Sequence, residues 1–375
     1  MATLKIIHTA DWQLGKPFGR FPLETSAALT EARLDAIDRI AAVASEHGAA
    51  HIMVAGDVFD NVDPGDRIVM QALSRMERAK VTWWLMPGNH DHARPGGLWS
   101  RVRRLAPSQV KIVDTPEPVE MVEGAWLLPA PLEHRKTTAD PTALMVDMAT
   151  PPGALRIGLA HGSITEFGAA GESANLIPPD RARSAGLDYL ALGDWHGFLT
   201  VGDRTAYSGT PETDRFGREE PGACVAVDTR QGAIPKILRV ETGRYRWLSR
   251  RWDVSTVEDL RRELATLRSE ARPNEVLLSI KLLGVASLAD RVAIIAELEG
   301  RVAHELRHLD LDAGGLVAKP TQEDISRIDV QGALAGAAAT LHARANEGGP
   351  DAGVAAAALE RLYVEAMRST AETGL

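Results

Sequence analysis

Apolar residues recur along this chain in two spacings, and the alternation between them sets the first expectation about the fold. Short, nearly continuous apolar runs at Leu4–Ile7, His51–Ala55, Val81–Met86, Arg156–Ala160 and Leu187–Leu192 read as buried strands. Between them, Leu23–His47 and Arg67–Ala79 repeat apolar positions every three or four residues, which predicts helices. Phe198–Val201, Thr205–Tyr207, Ala223–Val227 and Pro235–Val240 follow at closer intervals and suggest an antiparallel finish. The mixture predicts an α/β fold of two packed sheets with helices outside.

Near Glu241 the pattern changes. Tyr245–Trp252 is strand-like and rich in arginine, and Val257–Glu270 reads as a charged helix. A strand at Glu275–Leu283, a helix at Leu288–Leu306 and a strand near Arg307–Val317 would complete a small α/β unit. Beyond Lys319-Pro320 the chain is alanine-rich and predicts two helices, about Ile325–Asn346 and Ala352–Ala371. Ile325, Ile328, Leu334, Ala338 and Leu341 would form the apolar stripe of the first. Val354, Leu359, Leu362, Tyr363 and Ala366 would form that of the second. Three regions are therefore expected: 1–240, 241–319 and 320–375.

Composition narrows the class of protein. No stretch approaches the roughly 18 apolar residues of a membrane helix, and no signal peptide is evident. The single cysteine, Cys224, excludes internal disulfides and a cysteine-rich zinc site, so a cytoplasmic location is expected. A net charge of −9 argues against a protein that coats DNA through many Lys/Arg–phosphate contacts. An enzyme that meets phosphate through bound metal ions remains open, since such ions dominate the local charge.

Five polar clusters occur in order, each at or just beyond a predicted strand. They are Asp11-Trp12-Gln13, Gly56–Asp60, Gly88–Asp91, His161-Gly162 and Gly193–His196. In α/β sheets ligands bind at the carboxyl ends of strands, so these loops can converge on one crevice. Asp, Asn, Gln and His without thiolate suit Mn²⁺, Fe²⁺ or Zn²⁺. A single Asp after a strand is usually a turn former or helix cap; five such clusters in order are not.

With those residues the chain resembles the calcineurin-like metallophosphoesterase superfamily, whose pattern runs D-x-H, GD-x-x-D, GNH-D/E, H, GH-x-H. Ile7–Trp12, Val54–Asp60, Pro87–Asp91 and Tyr207–Glu212 are similar to the SbcD-type nucleases of bacterial DNA repair. The resemblance implies a four-layer α-β-β-α sandwich with a small α/β capping domain and C-terminal helices. It implies two metal ions, with Mn²⁺ expected: Asp11, Gln13, Asp57 and His196 at the first, and Asp57, Asn89, His161 and Asp194 at the second. A hydroxide between the ions would attack phosphorus, His90 would protonate the leaving oxygen, and the Asp60 carboxylate would hydrogen-bond His90. Gln13 and Asp194 stand where the family has histidine, and exchanging nitrogen for oxygen ligands should favour Mn²⁺ over Zn²⁺.

The function implied is a DNA phosphodiesterase, endo- or exonuclease, favouring single-stranded DNA. Trp12 and Trp195 inside the ligand loops could stack unpaired bases, and Arg94 could meet a phosphate. Arg101, Arg103 and Arg104, and separately Arg244, Arg246, Arg250 and Arg251, are candidate backbone tracks. In the family the C-terminal helices bind a coiled-coil ATPase, and a homodimer is a further expectation. Packing of those helices on the chain's own domains is the alternative for the segment; for the function, the alternatives are a small-molecule phosphodiesterase or phosphatase, or a catalytically silent DNA-binding or scaffold subunit.

Overall fold

The computed structural model describes residues 2–165, 174–321, 323–324, 328, 334–347 and 349–373. The chain divides into two compact units, Met1–Tyr245 and Arg246–Leu375.

In the first unit the strands are β1 (Thr3–Thr9), β2 (His51–Ala55), β3 (Thr82–Met86), β4 (Val110–Ile112), β5 (Val119–Val122), β6 (Ala125–Ala130) and β7 (Leu155–His161). They continue as β8 (Ser163–Ile164), β9 (Leu176–Ile177), β10 (Tyr189–Gly193), β11 (Leu199–Val201), β12 (Thr205–Tyr207), β13 (Ala223–Arg230) and β14 (Lys236–Glu241). One sheet has the order β14-β13-β1-β2-β3-β4 and the other β11-β12-β10-β7-β6-β5. The expected antiparallel finish is found where β13 pairs with β1 and β14, and β11 with β12; β12 itself runs parallel to β10.

Side chains alternate across the strands and so make separate apolar layers. Ile7, Ile52, Val54, Trp83 and Leu85 face outward onto α1 (Leu23–His47), α2 (Asp66–Arg78) and α3 (Leu98–Leu105). Their neighbours Ile6, Met53, Ala55, Trp84 and Met86 face the other sheet, meeting Leu127, Leu155, Ile157, Leu159 and Ala191. The second sheet's outer face carries a third layer, thinly covered by a short turn at Ala143–Val146 and α4 (Arg181–Ser184). This is the α-β-β-α sandwich expected from the sequence. The α1 helix buries Leu29, Ile37, Ile40 and Val43 at helical spacing and stops at Gly48, whose left-handed φ of 65° lets Ala49 N–H reach Ala44 O.

One polar residue spans the two sheets. His8 on β1 accepts from Tyr189 O–H at Nδ1 (2.9 Å) and donates from Nε2 to Leu192 O (3.1 Å), both on β10. Burial holds this imidazole neutral and pushes its pKa down to about 3. The unfolded chain therefore binds a proton here below pH 6.5 that the folded chain refuses. Its contribution is complete above pH 6.5 and is lost as pH falls toward 3, at up to about 1.4 kcal/mol per pH unit. Denaturant unfolding measured across that range should show a shallower pH slope for His8→Gln than for the parent protein.

The second unit is a parallel sheet of β15 (Arg246–Asp253), β16 (Val276–Ala286) and β17 (His308–Ala318), covered by α5 (Val257–Glu270) and α6 (Leu288–Glu297). Thr256 and Asp259 cap α5 reciprocally. The predicted helix to Leu306 passes through a π-turn at Leu298–Val302. Two further helices, α7 (Ala335–Glu347) and α8 (Ala352–Thr373), belong to this unit. Ile328, Ala338, Leu359 and Tyr363 bury themselves with Leu288 of α6, whereas Leu334 and Val354 stay exposed; Ile325 lies outside the described residues. Much of both expected stripes is thus spent within the unit itself. No helix among the described residues is long and apolar enough to cross a membrane.

Candidate metal centre

Strand ends from both sheets supply the five loops. Asp11 and Gln13 follow β1, Asp57 follows β2, Asn89 and His90 follow β3, His161 ends β7, and Asp194 follows β10. Parallel pairing of β1 with β2, of β2 with β3, and of β7 with β10 puts these ends on one edge of each sheet. Asp11, Asp57 and His161, all buried, offer ligand atoms within 4.8 Å of one another. The loops meet tightly: a Cβ on Gly193 would lie 2.0 Å from Ala55 O and 2.7 Å from His161 Nδ1, so only glycine fits there.

Backbone strain concentrates here. Among the described residues five non-glycine residues have positive φ, and four of them are Asp11 (56°), Gln13 (44°), Asp57 (56°) and Asp194 (100°). Left-handed backbone at non-glycine residues persists only where the surroundings over-determine it, and it clusters at functional sites.

On the side where the sequence leads one to expect a second ion, the donor atoms suit a metal. His161 Nδ1 bonds Ala55 O at 2.8 Å, which turns Nε2 toward Asp57 Oδ1 (3.6 Å) and Asp194 Oδ1 (3.8 Å). His161 Nε2 and Asn89 Oδ1 are buried without any hydrogen-bond partner, an arrangement that is costly unless a cation completes it. Burial would lower the His161 pKa, but Asp57, Asp11 and Asp194 outweigh it and raise the value to about 9. Asp11 is pushed up to about 6, first by burial, with Asp57 and Asp194 adding and His196 and His161 opposing. Negative charge converging on buried groups in this way is what a bound divalent cation can offset. Asp194 is held by its own contacts: its N–H donates to the Asp11 carboxylate at 3.1 Å and its carboxylate accepts from Ser163 Oγ.

The first-ion side differs from expectation at Gln13. Its Oε1 accepts from Lys16 Nζ at 3.0 Å, and its Nε2 faces inward, 3.5 Å from Asp57 Oδ2 and 3.4 Å from His196 Nε2. Gln13 therefore presents a donor where a ligand oxygen was expected, because Lys16 holds that oxygen. His196 Nδ1 is buried and unpartnered, 3.8 Å from Asp214.

His90 lies beside the centre, partly exposed, with its backbone N–H donating to Asp57 Oδ1 at 2.9 Å. The expected hydrogen bond to the Asp60 carboxylate is corrected: Nδ1 bonds the Asp60 backbone carbonyl at 2.9 Å, and the carboxylate stands 4.0 Å away. The carbonyl, not the carboxylate, fixes the ring.

Several bracing residues are not singled out as site residues by the sequence, although Asp91, Tyr207 and Thr210 lie in the family-like stretches Pro87–Asp91 and Tyr207–Glu212. Asp91 is fully buried and accepts from Gly88 N–H (2.7 Å) and Phe59 N–H (3.0 Å), tying the Asp57 and Asn89 loops together. Burial first, then Asp57, pushes its pKa up to about 7. Buried Asp214 pairs with Lys16 and with Arg33 of α1 at 3.0 Å; despite burial, His196, Arg33 and Lys16 hold its carboxyl far below the usual range. Thr210 Oγ1 donates to Asp11 O at 2.9 Å, and Tyr207 O–H to Gly162 O at 2.7 Å. Asp91→Ala would leave two buried N–H groups unpaired, so metal-free protein should lose about 2–4 kcal/mol in denaturant unfolding. Asp91→Asn, which keeps one acceptor, should lose less.

The nucleic-acid candidates separate sharply. Trp12 is corrected: it is 1% exposed, donates to Thr9 Oγ1 at 2.9 Å and packs edge-on against Trp83, so it cannot stack a base. Trp195 is 48% exposed, with the Arg218 guanidinium 4.6 Å above its ring. Arg94 is exposed and donates to His92 Nε2 at 3.0 Å. Arg101 pairs with Asp66 at 3.1 Å, Arg103 with Asp114, and Arg250 with Glu270 at 3.0 Å, so three residues of the arginine tracks are spent in ion pairs.

The profile of the calcineurin-like phosphoesterases matches residues 4–198, more than half of the chain. The chain belongs to that family. This phosphoesterase is also 33% identical over 93 residues to the SbcD component of the SbcCD nuclease of Bacillus subtilis (strain 168). That match spans 24% of the chain and only 22% of the relative's length. Among solved structures, the phosphoesterase is similar to TT1561 of Thermus thermophilus at 14% identity and a TM-score of 0.37, over 56% of this chain and 90% of that one. It is similar to the purple acid phosphatase PPD1 from yellow lupin (Lupinus luteus) seeds at 9% identity and a TM-score of 0.39, over 64% and 52%.

Proposed function

We propose that this phosphoesterase is a Mn²⁺-dependent phosphodiesterase acting on DNA, preferentially single-stranded, in DNA repair. The observation that carries the reading is the buried convergence of Asp11, Asp57 and His161 beside the unpartnered Asn89 Oδ1 and His161 Nε2. Asp57, Asn89, His161 and Asp194 would hold one ion. Asp11, Asp57 and His196 would hold the other, joined by Gln13 once its amide turns and releases Lys16. Two bound ions would polarise the phosphate and activate the attacking water. His90, oriented by the Asp60 carbonyl, would deliver a proton from Nε2 to the leaving oxygen. Exposed Trp195 is suited to stack an unpaired base. The short match to a nuclease subunit supports a nucleic-acid substrate, and the C-terminal helices, where Leu334 and Val354 remain exposed, would receive a coiled-coil ATPase as the sequence resemblance implies.

Calorimetric titration of metal-free protein with Mn²⁺ should give two sites. The loaded protein should then cleave single-stranded DNA and a chromogenic phosphodiester faster than a phosphomonoester. Monoester turnover alone would favour a phosphatase, and one weak site with no turnover would favour a binding subunit.

A further inference from the structure

The fifth residue with strained backbone, Asn175 (φ 59°), is no candidate ligand, yet it is tied to the same centre. Its Oδ1 accepts from Thr137 N–H at 2.9 Å, its Nδ2 donates to Arg135 O at 3.2 Å, and its own N–H donates to Thr137 O at 2.8 Å. Its carbonyl accepts from Ser163 N–H at 3.1 Å, and Ser163 Oγ in turn donates to Asp194. Gly162 is pressed so closely on it that a Cβ there would lie 2.2 Å from Asn175 O. At the other end of the arm, Leu132 O accepts from Ala93 N–H at 2.7 Å, next to the His90 loop. The segment Leu132–Thr137, which follows β6, is thus fastened to the loops on both sides of the candidate centre.

That arm carries His134-Arg135-Lys136, all exposed. Arg135 lines two cavities. One, of about 540 Å³, is shared with His90, Asp60, His92 and Arg94; the other, of about 280 Å³, is shared with Asn89, Asp194, Ser163 and Lys136. A guanidinium bridging the cavities on either side of Asn89 and His90 suits planar recognition of a phosphate group.

We propose that Arg135 and Lys136, held out by Asn175, form a subsite for the phosphate adjacent to the one being cleaved. The centre would thereby favour chains of phosphodiesters over isolated esters. This rests on the phosphodiesterase reading above, and binding and turnover test the two separately.

Binding of a fluorescent oligothymidylate to the full-length protein, in EDTA, is the first measurement. Arg135→Ala/Lys136→Ala should weaken it at least about tenfold, and the slope of log affinity against log salt should become shallower by about one per lost phosphate contact. Arg135→Lys should restore part of the loss. Asn175→Gly, which keeps the left-handed backbone and removes only the side-chain bonds to Thr137 and Arg135, should weaken binding with both cationic side chains intact. With Mn²⁺ present, the ratio of kcat/KM for the oligonucleotide to that for bis(p-nitrophenyl) phosphate should fall about tenfold in the double variant. Unchanged oligonucleotide affinity, no binding by the parent protein, or an unchanged ratio would overturn the subsite. A parent protein that binds through Arg135 but hydrolyses nothing would keep the subsite and remove the hydrolase reading.

Discussion

Asp57→Asn should lower Mn²⁺-dependent phosphodiester hydrolysis by at least about 10³-fold while leaving the fold intact. The substitution is chosen for its economy. Asparagine tolerates the left-handed backbone that position 57 adopts, and its side-chain oxygen can still accept from His90 N–H, as Asp57 Oδ1 does at 2.9 Å. What it removes is the negative charge on a carboxylate that faces both sides of the candidate centre, 3.6 Å from His161 Nε2 through Oδ1 and 3.5 Å from Gln13 Nε2 through Oδ2. Calorimetry should therefore report fewer than two Mn²⁺ sites in the variant, with an unfolding transition close to that of the parent. Full activity with two tight sites would mean that Asp57 shares no ion and that the proposed centre is wrong.

The second large effect is expected at His90. His90→Ala should reduce kcat on DNA by about 10²–10⁴-fold, the usual worth of a positioned general acid, with Mn²⁺ stoichiometry unchanged. The loss should depend on the leaving group. Departing p-nitrophenolate needs little protonation, whereas a sugar alkoxide needs it fully, so bis(p-nitrophenyl) phosphate should suffer much less than DNA. Equal losses on both substrates would assign His90 to substrate positioning instead. Because the Asp60 backbone carbonyl, rather than its carboxylate, holds the ring at 2.9 Å, Asp60→Asn should cost far less than His90→Ala.

The sequence by itself determined the sandwich and the loops that converge on the candidate centre. Strands such as His51–Ala55 and the helix Leu23–His47 are written in local apolar spacing, which depends only on neighbours along the chain. Asp11, Asp57, His161 and the other ligand-loop residues were legible for a related reason: polar residues stranded at the ends of apolar strands are conspicuous locally. The strands Val110–Ile112, Val119–Val122 and Ala125–Ala130 were not read, being short or supported mainly by pairing across the sheet.

Only the tertiary structure decided what each polar group faces. Trp12 sits in a ligand loop yet is buried against Trp83, while Trp195, in an equivalent setting, is exposed under Arg218. Gln13 has a ligand's position, but Lys16 claims its oxygen. Asp91, Asp214 and Asn175 act through partners 32, 181 and 38 residues away, Phe59, Arg33 and Thr137 respectively. The physical reason is common to all of them. Periodicity encodes which side of an element is apolar, whereas hydrogen bonding and burial of a polar side chain depend on atoms brought together only by the packed sheets.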